Sequence, residues 1–502
     1  MQGRVYPLVS RAGWQGDLLA LLAGFLMPLA FAPFNLYPLA ILLPALLFIT
    51  WLDVLPGRAF ARGLLFGAAM FGAGTTWMYI SIHHFGNVNL PLSLFILALL
   101  VMIMALFYAL SGYLFVRFFH PLSLPLKLVI VLPAAWVFIE WVRGWFMTGF
   151  PWLNLGYSQT DGLLSSLAPV LGVYGVSWGV ALSSGLLLLA VLKKSWFAGL
   201  SVVALWLLAA LMAQFTWTTP VGEPVKVSLI QGNIAQDEKW LAEMRVPTIE
   251  RYSRLTRENW QSDLIVWPES ALPDFRYRVL DILEPLGDEA KVHHSQLLIG
   301  VLSVQMEPVR YYNSVIGLGV TEGIYHKQHL VPFTEYLPMK SLLSDIVDFM
   351  DVPMSDFSPG DHNQALMEVK GHKVGLSICY EAVFGEEVIT SLPEASMLVN
   401  VSNDGWFGES IGPHQHLQII RMRALETGRP VLRSTNTGIS AIIGPDGKIQ
   451  SASPQFEVHV LTDKVQPMQG ITPYVQWGNW MVIMLVSAAL LSAFVASRRV
   501  KV

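Results

Sequence analysis

Read as a pattern of apolar and polar positions, the chain falls into two regimes. Up to residue 215, and again near the C-terminus, apolar residues come in long runs broken by short turns. Eight runs approach the roughly 20 residues that a helix needs to cross the hydrocarbon core of a bilayer. They cover about 17–33, 36–52, 61–81, 91–117, 125–144, 164–192, 196–214 and 474–496. From Val225 the pattern shortens. β-rich runs appear at Val225–Gln231, Asp263–Trp267, Gln296–Val301, Val374–Cys379, Met397–Asn403 and Pro430–Ser434. Helical stretches lie between several of them, at Val246–Asn259, Val279–Ala290 and His414–Thr427. Strands alternating with helices predict an α/β layered domain. Ile439–Ile443, a Gly-Pro-Asp-Gly turn and Lys448–Gln450 predict a hairpin.

Charge sharpens the division. All but four (Asp17, Asp53, Glu140 and Asp161) of the 36 acidic residues lie between Glu223 and Asp463. The expected organisation is a membrane bundle over 1–215 with seven spans, a water-exposed domain over 221–467, and an eighth span at 474–496. Lys and Arg near span ends set the orientation. Arg4 and Arg11, Arg58 and Arg62, Arg117 and Lys127, Lys193 and Lys194, and Arg498, Arg499 and Lys501 mark one side. The turns at Pro33–Asn35 and His83–Asn89 carry none. With eight spans, every basic segment is cytoplasmic and the 221–467 domain lies outside. The first run offers Ala30-Phe31-Ala32 as a cleavage triplet, but Pro33 follows and a second span begins at once, so it reads as a retained anchor. A net charge of −4 without a basic stripe argues against nucleic acid, and a single cysteine allows no internal disulfide.

Three reactive side chains fall at strand ends, where α/β sheets assemble sites. Glu269 follows Asp-Leu-Ile-Val-Trp-Pro, Lys327 ends Gly-Ile-Tyr-His-Lys, and Cys379 ends Lys-Val-Gly-Leu-Ser-Ile-Cys. Singly, each has an ordinary reading as a buried small residue or a solvated charge. Together they make an acyl-transfer set. A carboxylate can take the thiol proton as sulfur attacks an acyl carbon, then return it to the leaving group. An ammonium, helped by a backbone N–H after the cysteine, can stabilise the oxyanion.

Val-Trp-Pro-Glu-Ser-Ala (266–271), Tyr-His-Lys-Gln-His-Leu-Val-Pro-Phe-Thr-Glu (325–335) and Ser-Ile-Cys-Tyr-Glu (377–381) resemble the nitrilase superfamily, with gaps of 58 and 52 residues between the three reactive groups. The runs Val401–His416 and Arg421–Asn436, with the eight spans, resemble its membrane-bound branch, the apolipoprotein N-acyltransferases. That resemblance implies an α-β-β-α sandwich on a multi-pass α-helical membrane bundle. It implies Glu269 as general base, Lys327 at the oxyanion and Cys379 as nucleophile. Glu335, Tyr380 and Glu381 match supporting positions, and Trp240 a lipid-contacting tryptophan. It also implies a phospholipid acyl donor, a diacylated apolipoprotein acceptor, and a bacterial inner membrane with the catalytic domain on the periplasmic side. No cofactor and no metal are expected, and the chain is read as a monomer.

Further positions have weaker claims. Leu343, Ile346, Val347 and Met350 form a helical stripe within 341–354, which reads either as a lid that admits acyl chains or as a core helix. Phe150–Gln159 looks like a family motif, yet an interfacial aromatic belt would explain Trp152 and Tyr157. Trp152, Trp406, Ile346 and Val347 join Trp240 as candidate lipid contacts. Glu140 and Arg143, near a span end, read as side chains snorkelling to the interface. His414 and His416 lack the partners of a zinc site. Two other functions stay open: a membrane-anchored amidase using the same three residues on small C–N substrates, and a transporter or sensor with an inactive domain.

Overall fold

The computed structural model describes residues 13–337 and 356–500. The chain forms two compact units. One holds the residues up to Tyr79, Leu90–Thr216 and those from Gln476 on; the other holds Ile80–Asn89 and Trp217–Val475.

The first unit is helical. Its helices are α1 (Trp14–Leu26), α2 (Leu39–Trp51), α3 (Pro56–Gly74), α4 (Leu90–Phe119), α5 (Leu132–Arg143), α6 (Ala168–Lys193), α7 (Trp196–Met212) and a C-terminal helix, Trp480–Arg499. Every expected apolar run is helical, but length separates them. Among the described residues, Leu90–Phe119, Leu124–Arg143, Leu163–Lys193 and Trp480–Arg499 are long and apolar enough to cross a membrane. Pro56–Gly74 and Trp77–Phe85, bent by 59°, make a fifth if counted as one span. Trp14–Ala30, Leu39–Trp51 and Trp196–Met212 are shorter. The first of these tightens to a 3-10 turn at Met27–Ala30, where Pro28 interrupts the α-helical bonding.

Helices meet here through small residues, because lipid-like surroundings supply no hydrophobic drive between apolar faces. A Cβ on Gly63 of α3 would stand 2.3 Å from the Tyr108 carbonyl of α4, so only glycine permits this approach. The reading of Glu140 and Arg143 as snorkelling is overturned. Both are 1% exposed. Glu140 accepts from Trp136 Nε1 at 2.9 Å and from the Leu155 N–H at 2.7 Å. Arg143 donates to the Phe150 carbonyl at 2.7 Å, and to Trp152 O and Asn154 Oδ1. The pair thus draws the 150–159 segment inward. Trp152, expected at a lipid surface, is a core residue packed on Trp77 and Phe150. Tyr157 is buried as well.

The second unit is a sandwich. Its strands are β1 (Thr218–Pro220), β2 (Val225–Gln231), β3 (Leu264–Val266), β4 (Leu272–Phe275), β5 (Gln296–Met306), β6 (Val309–Gly319), β7 (Gly323–His326), β8 (Met367–Val369), β9 (His372–Ile378), β10 (Met397–Ser402), β11 (Val431–Thr435), β12 (Ala441–Ile443), β13 (Ile449–Ala452), β14 (His459–Val465) and β15 (Met468–Gly470). One sheet runs β14-β2-β3-β5-β6-β7 with β4 beside β5; the other runs β13-β12-β11-β10-β9-β8. The central pairs β2–β3, β3–β5, β9–β10 and β10–β11 are parallel.

Alternation along each strand builds the layers, since successive side chains face opposite ways. Val225, Val227, Leu229, Leu264 and Val266 meet Val374, Ile378, Met397, Val399 and Val401 in one core between the sheets. The intervening Ile230 and Ile265 face the other way, against Ile249 and Tyr252 of α8 (Arg245–Arg257) and Leu283 and Leu286 of α9 (Leu280–Val292). On the second sheet Leu398 and Val431 pack on Leu417, Ile420 and Ala424 of α10 (Gly412–Thr427). The expected α-β-β-α order is therefore present.

Candidate active site

Glu269 lies in a turn two residues beyond Trp267, which itself follows β3. That turn presses on the neighbouring strand, where a Cβ on Gly300 would come within 2.1 Å of the Pro268 carbonyl, so glycine at 300 lets Glu269 sit against the sheet. Lys327 directly follows β7 and Cys379 directly follows β9. Cys379 has φ +52°, a left-handed conformation that a side chain with a Cβ adopts at a cost of about 1–3 kcal/mol. The surrounding hydrogen bonds must hold it there.

The two strand ends of the first sheet bring the charges together. Lys327 is 1% and Glu269 8% exposed. Lys327 Nζ lies 2.9 Å from Glu335 Oε1 and 3.5 Å from Glu269 Oε1. Asn313 on β6 bridges the carboxylates, donating to Glu269 at 2.7 Å and to Glu335 at 3.2 Å. The Asn403 N–H donates to Glu269 Oε2 at 2.9 Å, and the Val331 N–H to Glu335 Oε2 at 2.7 Å. Buried Lys239 donates to the Glu269 carbonyl at 3.2 Å.

Electrostatics then sort the roles. Burial alone would lower the Lys327 pKa, but Glu335 and Glu269 outweigh it and hold the ammonium protonated well above its usual range. Lys327 is thus a fixed cation and not a base. Cys379 is half-buried by surface area, yet lost solvation first and the Glu269 charge second push its thiol up to about 12, with Lys327 pulling the other way. The thiol is therefore neutral at pH 7 and needs a base. Lys239 is lowered to about 8, by burial, against the pull of Glu269.

The other expected residues divide. Glu381 is buried and accepts from Tyr325 OH at 3.1 and 3.2 Å, from the His329 N–H at 3.2 Å, and from the Gln328 and Ile378 N–H groups. It ties the turn after Lys327 to the turn bearing Cys379, and burial pushes its carboxyl up to about 7 against those donors. Tyr380 stands edge-on to Phe384 and His329. Trp240 is 51% exposed. Trp406 is about one-third exposed, its carbonyl accepting from Ser81 Oγ at 2.7 Å and its ring edge-on to Phe85. Ile346, Val347 and the rest of the 341–354 stripe lie outside the described residues.

Several partners escaped the reading of the sequence. Asn313 sits on β6, a strand that alternation did not reveal. Asn403, Asp404, His416 and Arg433 lay inside two runs noted as family motifs, but nothing in their spacing assigned them partners.

Comparison with known proteins identifies the family. Residues 23–186 match the family model described as "Apolipoprotein N-acyltransferase N-terminal domain", and residues 226–471 match "Carbon-nitrogen hydrolase". A protein of Methylococcus capsulatus named apolipoprotein N-acyltransferase is 45% identical over 96% of this chain and 96% of its own length. One of Azotobacter vinelandii with the same name is 42% identical, again over 96% of each. Among solved structures, a CN-hydrolase superfamily protein from Xanthomonas campestris aligns at 16% identity with a TM-score of 0.37, covering 54% of this chain and 97% of that one. At that identity and overlap over nearly the whole length, the chain belongs to the apolipoprotein N-acyltransferase family.

Proposed function

We propose that this membrane enzyme moves an acyl chain from a phospholipid, through a thioester on Cys379, to the N-terminal α-amino group of a diacylglyceryl-cysteine on an apolipoprotein. The acyltransferase activity follows from the family. The donor, the residue roles, the eight spans and the inner-membrane setting with a periplasmic catalytic domain at 221–467 are our reading.

In the first step the Cys379 sulfur attacks the ester carbonyl of the phospholipid as Glu269 takes the thiol proton. The tetrahedral oxyanion faces the Lys327 ammonium, whose charge is held by Glu335. As the C–O bond breaks, Glu269 returns the proton to the departing lysophospholipid oxygen. In the second step the acceptor amine attacks the thioester carbonyl, Glu269 takes a proton from its nitrogen, and the sulfur leaves and regains a proton. The product amide resists thiol attack far better than an ester, so the second transfer runs one way.

The observation that carries this reading is the buried Glu269–Lys327–Glu335 cluster at strand ends beside Cys379, 3.5 and 2.9 Å apart. It supplies a base, a fixed cation and a nucleophile in one enclosed place. The test is the intact mass of the detergent-solubilised protein after incubation with phospholipid. An acyl adduct is expected that hydroxylamine removes, that Cys379→Ser lacks, and that a diacylglyceryl-cysteine peptide discharges. A folded protein that forms no adduct and instead hydrolyses small amides would replace this reading with that of a membrane-anchored amidase.

A further inference from the structure

Beneath the catalytic strand ends lies a polar cluster that takes no direct part in the reaction above. Asp404, His416 and Arg433 are each 2% exposed or less. They come from three elements: the turn after β10, helix α10 and strand β11. Arg433 Nη2 donates to Asp404 Oδ1 and Oδ2 at 2.9 and 2.7 Å and to His416 Nδ1 at 3.0 Å, while its other terminal nitrogen donates to Asn400 Oδ1. Burial would raise the Asp404 carboxyl, but the Arg433 guanidinium outweighs it and holds the group well below the usual carboxylate range. Burial and then Arg433 depress His416, which stays neutral. Guanidinium cannot accept, so His416 Nδ1 is the acceptor, and its 3.3 Å approach to Asp404 Oδ1 is a contact without a shared proton.

The cluster reaches the reacting groups through its immediate neighbours. Ser402 Oγ donates to Asp404 Oδ1 at 2.9 Å, and Ser402 is among the groups that pull the Cys379 thiol back down against its burial. Asn403 donates its backbone N–H to the carboxylate of Glu269. Asn400, gripped by Arg433, lies 3.4 Å from the Cys379 carbonyl through Nδ2, the carbonyl of the left-handed residue. Asn403 and Asp404 therefore contact the base and the buried arginine in turn, while Asn400 reaches the carbonyl of Cys379.

A buried ion pair is a poor source of net stability, because apolar residues of similar volume hold a core as well or better. The flanking positions of β10 show that apolar packing was available: Val399 and Val401 fill the core beside it. What an ion pair supplies and an apolar contact does not is a fixed direction. We propose that Asp404 and Arg433 are positioning residues for acylation. Their ion pair sets the spacing between the Cys379 sulfur and the Glu269 carboxylate, acting through Ser402, Asn403 and Asn400. This rests on the assignment of Cys379 as nucleophile and Glu269 as base.

The test is single-turnover acylation by phospholipid, followed by intact mass in Asp404→Asn, Arg433→Lys and Ser402→Ala. The amplitude of the burst counts folded sites, and its rate constant reports their geometry. Misplacing reacting groups by about 1 Å costs on the order of 100-fold. A drop of that size in the rate constant of Asp404→Asn is expected, with the half-saturating phospholipid concentration moved less than about threefold. Arg433→Lys, which keeps the charge and loses the fork, should retain part of the rate. Ser402→Ala removes one hydroxyl from a buried site and decides the matter if Asp404→Asn fails to fold: slower acylation at unchanged half-saturation supports the proposal. Rate constants equal to wild type in the folded variants, with only smaller amplitudes, overturn it. The wild-type burst is the control. Its absence would remove the reading of Cys379 itself, whereas a normal wild-type burst beside unchanged variants removes only the positioning role.

Discussion

Both units bury charge, and the Glu140–Arg143 region of one uses it differently from the Glu269–Lys327 region of the other. In the helical unit Arg143 spends its donors mainly on backbone carbonyls of 150–152, and Glu140 accepts the Leu155 N–H. Each of these two charges is matched to fixed dipoles of the fold. In the catalytic unit Glu269, Lys327 and Glu335 are matched to one another, and Cys379 feels two of them. Charges that satisfy backbone groups hold a shape. Charges that satisfy each other beside a neutral thiol can shift a proton when a substrate changes the balance. Burial alone therefore does not mark a reactive group; the identity of its partner does.

The sharpest way to break this contrast is to remove the shared cation. Lys327→Met leaves two buried carboxylates facing each other, and acyl-enzyme formation should fall by about 100- to 1,000-fold, as for the loss of an oxyanion donor. Intact-mass kinetics measure it. Wild-type rates in that variant would mean that Lys327 holds shape as Arg143 does.

Arg143→Gln should act on the fold and spare the chemistry. It leaves the Phe150 and Trp152 carbonyls and Asn154 Oδ1 without their buried donor, at about 1–3 kcal/mol for each group left unsatisfied. The thermal midpoint should drop while the acylation rate constant per folded site stays within a factor of about three. A rate constant that falls with the midpoint would give the 150–159 segment a part in the reaction.

Glu381→Gln tests a residue that shares features of both groups. Its carboxylate collects four donors, one hydroxyl and three backbone N–H groups, and an amide would turn its own N–H groups toward some of them. A loss of about 1–3 kcal/mol is expected in urea unfolding. Its acylation defect should follow the loosened link between the Lys327 and Cys379 turns.

The smallest effect is one of pH. A free thiol ionises near 8.5, whereas the Cys379 thiol is pushed up to about 12 in the fold. In the absence of lipid, its alkylation by iodoacetamide should keep rising past pH 9, where an ordinary thiol levels off. The same shift means that the unfolded chain releases this proton first. The contribution of Cys379 to stability is therefore neutral below about pH 8.5 and unfavourable as pH rises from there toward 12.

Much of this fold was legible because it is written locally. The run Val225–Gln231 is a strand over the very residues expected, since its apolar positions serve two faces at once. The hairpin over Ala441–Ile443 and Ile449–Ala452 follows from its Gly-Pro-Asp-Gly turn. By contrast Val309–Gly319 was missed. It opens with the exposed residues Val309, Arg310 and Tyr311, and its partner is a neighbouring hairpin arm whose length no periodicity stated. The span count is not fixed by pattern either, because an apolar run shows that a segment can be buried and leaves open how many of its residues stay helical around a proline.

Sequence alone determined the division into an apolar, helix-forming part and an α/β part, the strand ends that carry Glu269, Lys327 and Cys379, and the family. These depend on residue type and near-neighbour spacing. Only the tertiary structure decided which groups meet. Glu140 and Arg143 turn inward because the 150–159 backbone offers them partners, Glu381 joins two turns, and Asp404 finds Arg433 from 29 residues away. Such pairs are set by how sheets and helices stack, and long-range contacts leave no period in the chain.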